Sequence, residues 1–91
     1  MKYINYKKND LERISIETFK TSLPELKNVN KTEAISKWLM ERIDNGIKSN
    51  LYSSGQLLPT KAEFAYALGV SLGTIQNVLR TLEDNDYIFS K

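Results

Sequence analysis

Thr60-Lys61-Ala62-Glu63-Phe64-Ala65-Tyr66-Ala67-Leu68-Gly69-Val70-Ser71-Leu72-Gly73-Thr74-Ile75-Gln76-Asn77-Val78-Leu79-Arg80-Thr81-Leu82 reads as two amphipathic helices with almost nothing between them. Thr60 and Glu63 stand at capping-box spacing, where the hydroxyl takes the N3 amide and the carboxylate takes the N-cap amide. Leu58 or Pro59 can staple onto Phe64, and Phe64, Ala65 and Leu68 form the buried side. Gly69 suits the left-handed position that closes a helix. Val70 links, and Ser71 caps the next helix. Ile75, Val78, Leu79 and Leu82 then form an i, i+3, i+4, i+7 stripe. Gly73, Gln76, Asn77 and Arg80 fall on the opposite face. This helix is expected to end near Asn85, before a strand that starts at Tyr87-Ile88-Phe89.

Working outward, Asn30 and Glu33 resemble a second capping box. Ile35, Trp38, Leu39, Ile43 and Ile47 recur at three- and four-residue steps, which predicts a helix from Lys31 to Asn45. Gly46 ends it, or it runs on towards Asn50. Lys37, Glu41, Arg42 and Asp44 mostly face away from the stripe, and Trp38 belongs to the core. Gly55-Gln56-Leu57-Leu58-Pro59 is short and extended, since a residue before proline avoids the α region. Residues 1–29 read two ways. Leu11, Ile14, Thr18 and Phe19 fit a short helix capped by Asp10, whereas Ile14, Ile16 and Thr18 alternate as a strand would. The helix is the preferred reading, and Pro24 keeps it separate from the next one.

A tight glycine turn between two short helices is the helix-turn-helix arrangement. Its second helix buries one face and offers the other to a groove. Gly73 allows close backbone approach. Gln76 and Asn77 carry both a donor and an acceptor, as bidentate contact with adenine requires. Arg80 can meet a guanine edge or a phosphate. The capped N-termini at Thr60 and Ser71 present amides to phosphate oxygens. A polar outer face is equally what any surface helix shows, so pattern alone leaves a generic helical domain open.

The composition removes other classes. The 91 residues contain no cysteine and no histidine, which excludes disulfides, thiolate or imidazole metal sites and a histidine-based triad. No set of residues supports catalysis, and no metal or cofactor is expected. No stretch approaches the roughly 20 apolar residues of a membrane span, and the N-terminus has no signal-peptide core. The cytoplasm is the expected compartment. The net charge of +2 averages two unequal parts. Residues 1–54 carry ten basic and seven acidic residues, whereas residues 55–91 carry three and four.

Residues 35–91 resemble the N-terminal winged-helix domain of the GntR family of bacterial transcription regulators. The resemblance rests on Ile35-x3-Leu39-x3-Ile43-x2-Gly46, Gly55-x2-Leu58-Pro59-Thr60, Glu63-Phe64-Ala65, Leu68-Gly69-Val70-Ser71, Gly73-Thr74-Ile75-Gln76-Asn77, Leu82-Glu83 and Tyr87-Ile88. It implies a mostly α fold: a three-helix winged helix-turn-helix over residues 30–91 with an incomplete β-wing, preceded by a short N-terminal extension of residues 1–29. It also implies binding of double-stranded operator DNA as a homodimer. Ser71, Thr74, Gln76 and Asn77 would lie at or near the DNA, and Thr60 and Lys61 would meet its backbone. With Gly73 and Arg80 these form the expected site.

The chain departs from the family pattern in four ways. Arginine is common in the family where this chain has Ala62, Leu72 and Gln76. The spacer between Gly46 and Gly55 is about four residues longer than usual, by comparison with the family pattern. Asp86 stands where glycine is common. The chain stops at Lys91, where the family continues into a hairpin and an effector-binding domain. A fragment cut before its wing, or a naturally short protein, is therefore expected, with any effector acting only through a missing C-terminal domain. Strand Tyr87–Ser90 would pair with Gln56–Leu58 or with a partner chain.

The missing arginines and the acidic balance of residues 55–91 also support an alternative, a winged-helix protein-interaction or dimerisation module with weak or no DNA binding. Three smaller features have plain readings beside functional ones. Tyr3, Tyr6, Lys7 and Lys8 make either a minor-groove arm or a solvated tail. Glu83, Asp84 and Asp86 either repel phosphate from the end of the last helix or form an acidic turn. Ser53-Ser54-Gly55 is a loop.

Overall fold

Among the described residues, each helix begins at a side chain that takes one of its unpaired amides. The computed structural model describes residues 13–52 and 56–88. It contains α1 (Ile16–Phe19), α2 (Lys31–Lys48), α3 (Lys61–Leu68) and α4 (Leu72–Asp84). Ser15 Oγ accepts from the Glu17 amide at 3.2 Å, and Asn30 Oδ1 from that of Glu33 at 2.9 Å. Thr60 Oγ1 accepts from the Glu63 amide at 3.1 Å, while Glu63 Oε1 accepts from the Thr60 amide at 2.9 Å, completing the capping box. Ser71 Oγ accepts from the Thr74 amide at 3.1 Å. The two helices of the helix-turn-helix therefore start where their sequence signals stand.

The three longer helices also end alike. Asn50, Gly69 and Asp86 each adopt a left-handed conformation, with φ of 63°, 68° and 63°. The following amides reach back five residues: Leu51 to the Gly46 carbonyl at 2.8 Å, Val70 to Ala65 at 3.1 Å and Tyr87 to Leu82 at 2.9 Å. This is the Schellman closure, which satisfies carbonyls that the helix leaves open.

α2 runs to Lys48, so Gly46 does not end it. Gly46 is buried within the helix, and a Cβ there would overlap the ring of Tyr52. The absent side chain is what lets Tyr52 fold back onto α2. The amides of Leu51 and Tyr52 both donate to the Gly46 carbonyl, at 2.8 and 3.1 Å, and hold that return.

α4 packs on both α2 and α3. Ile35, Leu39 and Ile43 of α2, Phe64 of α3, and Ile75, Val78 and Leu82 of α4 are all at most 1% exposed. Ile14, Phe19, Tyr52, Leu58, Ala65 and Ile88 complete the core. Phe19 is its aromatic hub. Its ring centroid lies 5.5 Å from that of Tyr52, stacked, 5.4 Å from Phe64 and 6.1 Å from Trp38, both edge-on.

Residues 13–22, within the stretch read as an extension, are thus packed into the same core as the helices. Their local structure combines both sequence readings. The chain is extended at Arg13, which forms a parallel bridge with Leu57, and the Ile14 amide donates to the Leu57 carbonyl at 2.7 Å. Helix takes over only after Ser15. The expected cap Asp10 lies outside the described residues, and Ser15 does the capping instead. Leu57 is therefore bridged by the N-terminal segment, and the strand expected at Tyr87–Ser90 runs on into residues outside the described ones. Two α2 side chains hold this segment. Arg42 donates to the Thr18 carbonyl at 2.8 Å, to Thr21 Oγ1 at 3.2 Å and to Ser22 Oγ at 3.1 Å. Trp38 Nε1 donates to the Ser22 carbonyl at 2.7 Å. Arg42 therefore faces protein more than solvent.

After α4, Tyr87 donates its hydroxyl to Asp44 Oδ2 of α2 at 3.0 Å, and Ile88 is 1% exposed. The β-wing expected to follow, the Tyr3–Lys8 cluster and the Ser53–Gly55 loop all lie outside the described residues.

Candidate nucleic-acid interface

The outward face of α4 follows from what its other face buries. Ile75, Val78 and Leu82 point into the core, which leaves Gly73, Gln76, Asn77 and Arg80 exposed. Arg80 Nη1 donates to Asn77 Oδ1, so two of these side chains are already linked. At the N-terminal turn, Ser71 Oγ stands 3.0 Å from Thr74 Oγ1 as well as capping the helix. Ser71 and Thr74 therefore act first as builders of the helix start. One hydroxyl proton of the pair lies between them, Ser71 Oγ also takes the Thr74 amide, and Thr74 is half-buried.

Gly73 is informative because the fold does not demand it. A Cβ at this position would come no closer than 3.8 Å to a neighbour, the Ser71 hydroxyl. Glycine inside a helix costs about 0.5–1 kcal/mol relative to alanine. A residue that costs stability and relieves no clash in the protein leaves room for something outside it. The contrast with Gly46, whose missing Cβ is filled by Tyr52, is direct.

Across from α4, Thr60 and Lys61 stand exposed at the start of α3. Leu58, Pro59, Thr60 and Lys61 share a cleft of about 390 Å³ with Gln76, Leu79, Arg80 and Glu83. Four of the eight expected site residues thus border one depression: Thr60, Lys61, Gln76 and Arg80. Asn77 joins them through its bond to Arg80, while Ser71, Gly73 and Thr74 lie together at the head of α4. The same cleft is lined by Arg13 and Ile88. Arg13 was not expected from the sequence, because the bridge to Leu57 that carries it there has no local signal.

A second surface lies on the other side of the turn. Ala62, Ala65, Tyr66, Gly69, Val70 and Leu72 line a shallow apolar depression, in which Tyr66 is 90% and Leu72 55% exposed. Two of these, Ala62 and Leu72, are positions where the resemblance leads one to expect arginine.

A family model described as bacterial regulatory proteins, gntR family, matches residues 35–91, which is more than half of the chain. The chain belongs to the GntR family. This is a family of DNA-binding transcription regulators, and its matched region begins in the second turn of α2 and contains all of α3 and α4. Comparison with curated proteins and with solved structures gives no match. Arg13, Ile14 and the whole of α1 precede the GntR match, although Ile14, Ile16 and Phe19 pack into the same core. Among the described residues, no helix is long and apolar enough to cross a membrane.

Proposed function

We propose that this GntR-family chain binds operator DNA sequence-specifically, with α4 seated in the major groove. The observation that carries the reading is the outer face of α4: an unforced glycine at Gly73 beside exposed Gln76, Asn77 and Arg80. An amide that carries a donor and an acceptor reads adenine, and a guanidinium reads guanine or phosphate. Lys61, at the head of α3, supplies a phosphate contact that fixes register without reading sequence. Ser71 and Thr74 set the start of α4, and Thr60 that of α3.

In this reading the domain acts as a homodimer in the cytoplasm, with one protomer on each half-site, and does no catalysis. An effector would act through a separate domain, and a wing after Tyr87 would add contacts beside the groove.

The test is binding to the duplex beside the protein's own gene, measured against a shuffled duplex at two salt concentrations. A preference for the first, reduced by Gln76→Ala and Asn77→Ala, is the expected result. Equal binding to both duplexes, unaffected by either substitution, would remove the reading.

One observation favours a second function, a protein-interaction module on the same fold. Tyr66, Val70 and Leu72 expose apolar surface beside the turn, and residues 55–91 are slightly acidic. If that surface served a protein partner, Leu72→Arg would abolish the association. On DNA the same substitution would strengthen binding.

A further inference from the structure

We propose that Arg13 is a phosphate contact of the DNA interface, delivered to it by the N-terminal segment from outside the family-matched region. This rests on the DNA-binding reading of α4 and adds to it a residue which that reading does not contain.

The backbone places it. Ile14 is 6% exposed and its amide is bonded to Leu57, so the chain is fixed beside the segment that leads into α3. Successive residues of an extended chain point to opposite sides. With Ile14 turned into the core, Arg13 is turned out, and its side chain is exposed.

Hydrogen bonding then aims it. Arg13 Nη1 donates to the carbonyl of Leu58, two residues before the cap of α3. A guanidinium has five N–H donors in a planar fork, and one bond to a carbonyl restrains the fork without using it up. Such a group is suited to phosphate.

Charge makes the third argument. Arg13, Lys61 and Arg80 come from three separate elements and border one cleft, where Glu83 is the carboxylate among the lining residues. Cations gathered from separate elements repel one another, and a bound anion offsets that repulsion. Residues 55–91 have a net charge of −1 and lack arginine at positions 62, 72 and 76. Arg13 brings charge from the basic half of the chain to a helix-turn-helix that is short of it. The anion is the backbone phosphate of duplex DNA, because the cleft borders Gln76 and Arg80 on the exposed face of α4.

The experiment compares the unmodified chain with Arg13→Gln and Arg13→Lys. Glutamine keeps a donor for the Leu58 carbonyl but loses the charge, and lysine keeps both. Thermal unfolding establishes that both variants are folded. Binding to the preferred and the shuffled duplex is then measured from 50 to 200 mM salt. Each phosphate contact contributes about 0.9 to the slope of log K against log salt. Over this fourfold range the unmodified chain should lose about 3.5-fold more affinity per bound protomer than Arg13→Gln, about 12-fold for a bound dimer, and Arg13→Lys should keep the full slope. Base preference should be the same in all three. If the unmodified chain prefers its duplex and Arg13→Gln has an unchanged salt slope, the role of Arg13 is overturned while the reading of α4 stands. If the unmodified chain shows no preference for its duplex, the reading of α4 falls, and the role of Arg13 with it.

Discussion

Arg80 Nη1 donates to Asn77 Oδ1 at 3.2 Å, so two side chains of the α4 outer face form one unit. An amide oxygen has two lone pairs. Asn77 can therefore accept from an adenine amino group without releasing Arg80. Asn77→Ala should relax preference at one base pair, at a cost of about 1–3 kcal/mol. Arg80→Ala should also weaken binding. In the double variant the losses should fall short of their sum, with a coupling of about 0.5–3 kcal/mol. Affinities of the four proteins for one duplex give this value, and simple additivity would show that the pair does not act together.

Gly73 separates stability from binding. A Cβ here meets only the Ser71 hydroxyl, at 3.8 Å. Gly73→Ala should stabilise the fold by about 0.5–1 kcal/mol in urea unfolding. The same substitution should weaken DNA binding, because the methyl group stands where a groove wall must approach. A variant that is more stable and binds as tightly would show that nothing comes close to this position.

Leu72 opens α4 and is 55% exposed, beside Ala62 and Tyr66. Leu72→Arg should raise DNA affinity and steepen the salt slope by about 0.9 per bound protomer, the contribution of one added phosphate contact in each. A salt titration of both proteins on the same duplex measures it. An unchanged slope would place this end of α4 away from the DNA backbone.

Phe19 is fully buried and meets Tyr52, Phe64 and Trp38, although it lies outside the family-matched residues. Phe19→Ala should cost about 3–5 kcal/mol. Small domains have about 5–15 kcal/mol in total, so a large share of the stability would go. Chemical denaturation followed by Trp38 fluorescence is a suitable readout. A small loss would mean that residues 13–22 are dispensable to the fold.

Tyr52 gives the fold an alkaline limit. Burial raises its phenol above the ordinary 10.0, and the Arg42 guanidinium opposes this by charge and hydrogen bonding. The folded protein therefore favours the neutral phenol. Below about pH 10 both folded and unfolded chains hold the proton, and the contribution is complete. Above it the unfolded chain releases the proton first, so stability falls until the raised folded value is passed. Tyr52→Phe keeps the ring and removes the titration. Its melting temperature should decline less steeply than that of the unmodified protein between pH 9 and 11. Parallel declines would mean that Tyr52 takes no part.

The sequence made α3 and α4 readable because their determinants are local. The Thr60–Glu63 box, the left-handed Gly69 and the Ser71 cap each act within four residues. The outer face of α4 follows from its apolar stripe by geometry alone. The end of α2 was harder, because Gly46 is explained only by the ring of Tyr52, which returns to it from beyond the helix. The N-terminal segment was hardest. Its extended start is set by Leu57 and Leu58 and its position by Trp38 and Arg42, contacts that span 16 to 45 residues of chain. For the same reason Arg13 was invisible as a site residue, while Ser71 was legible both as a cap and as a candidate, and the contact of Thr74 with its hydroxyl was not.

The outer face of α4 as the groove-facing surface is the claim on which the rest depends. Amide chemical shifts of the isotope-labelled protein, followed while the duplex beside its own gene is added, test it residue by residue. The account predicts the largest changes at Gly73, Gln76, Asn77 and Arg80 and at the start of α3 around Lys61. Changes centred instead on Tyr66, Val70 and the exposed face of α2, with α4 unmoved beyond Leu72, would contradict it.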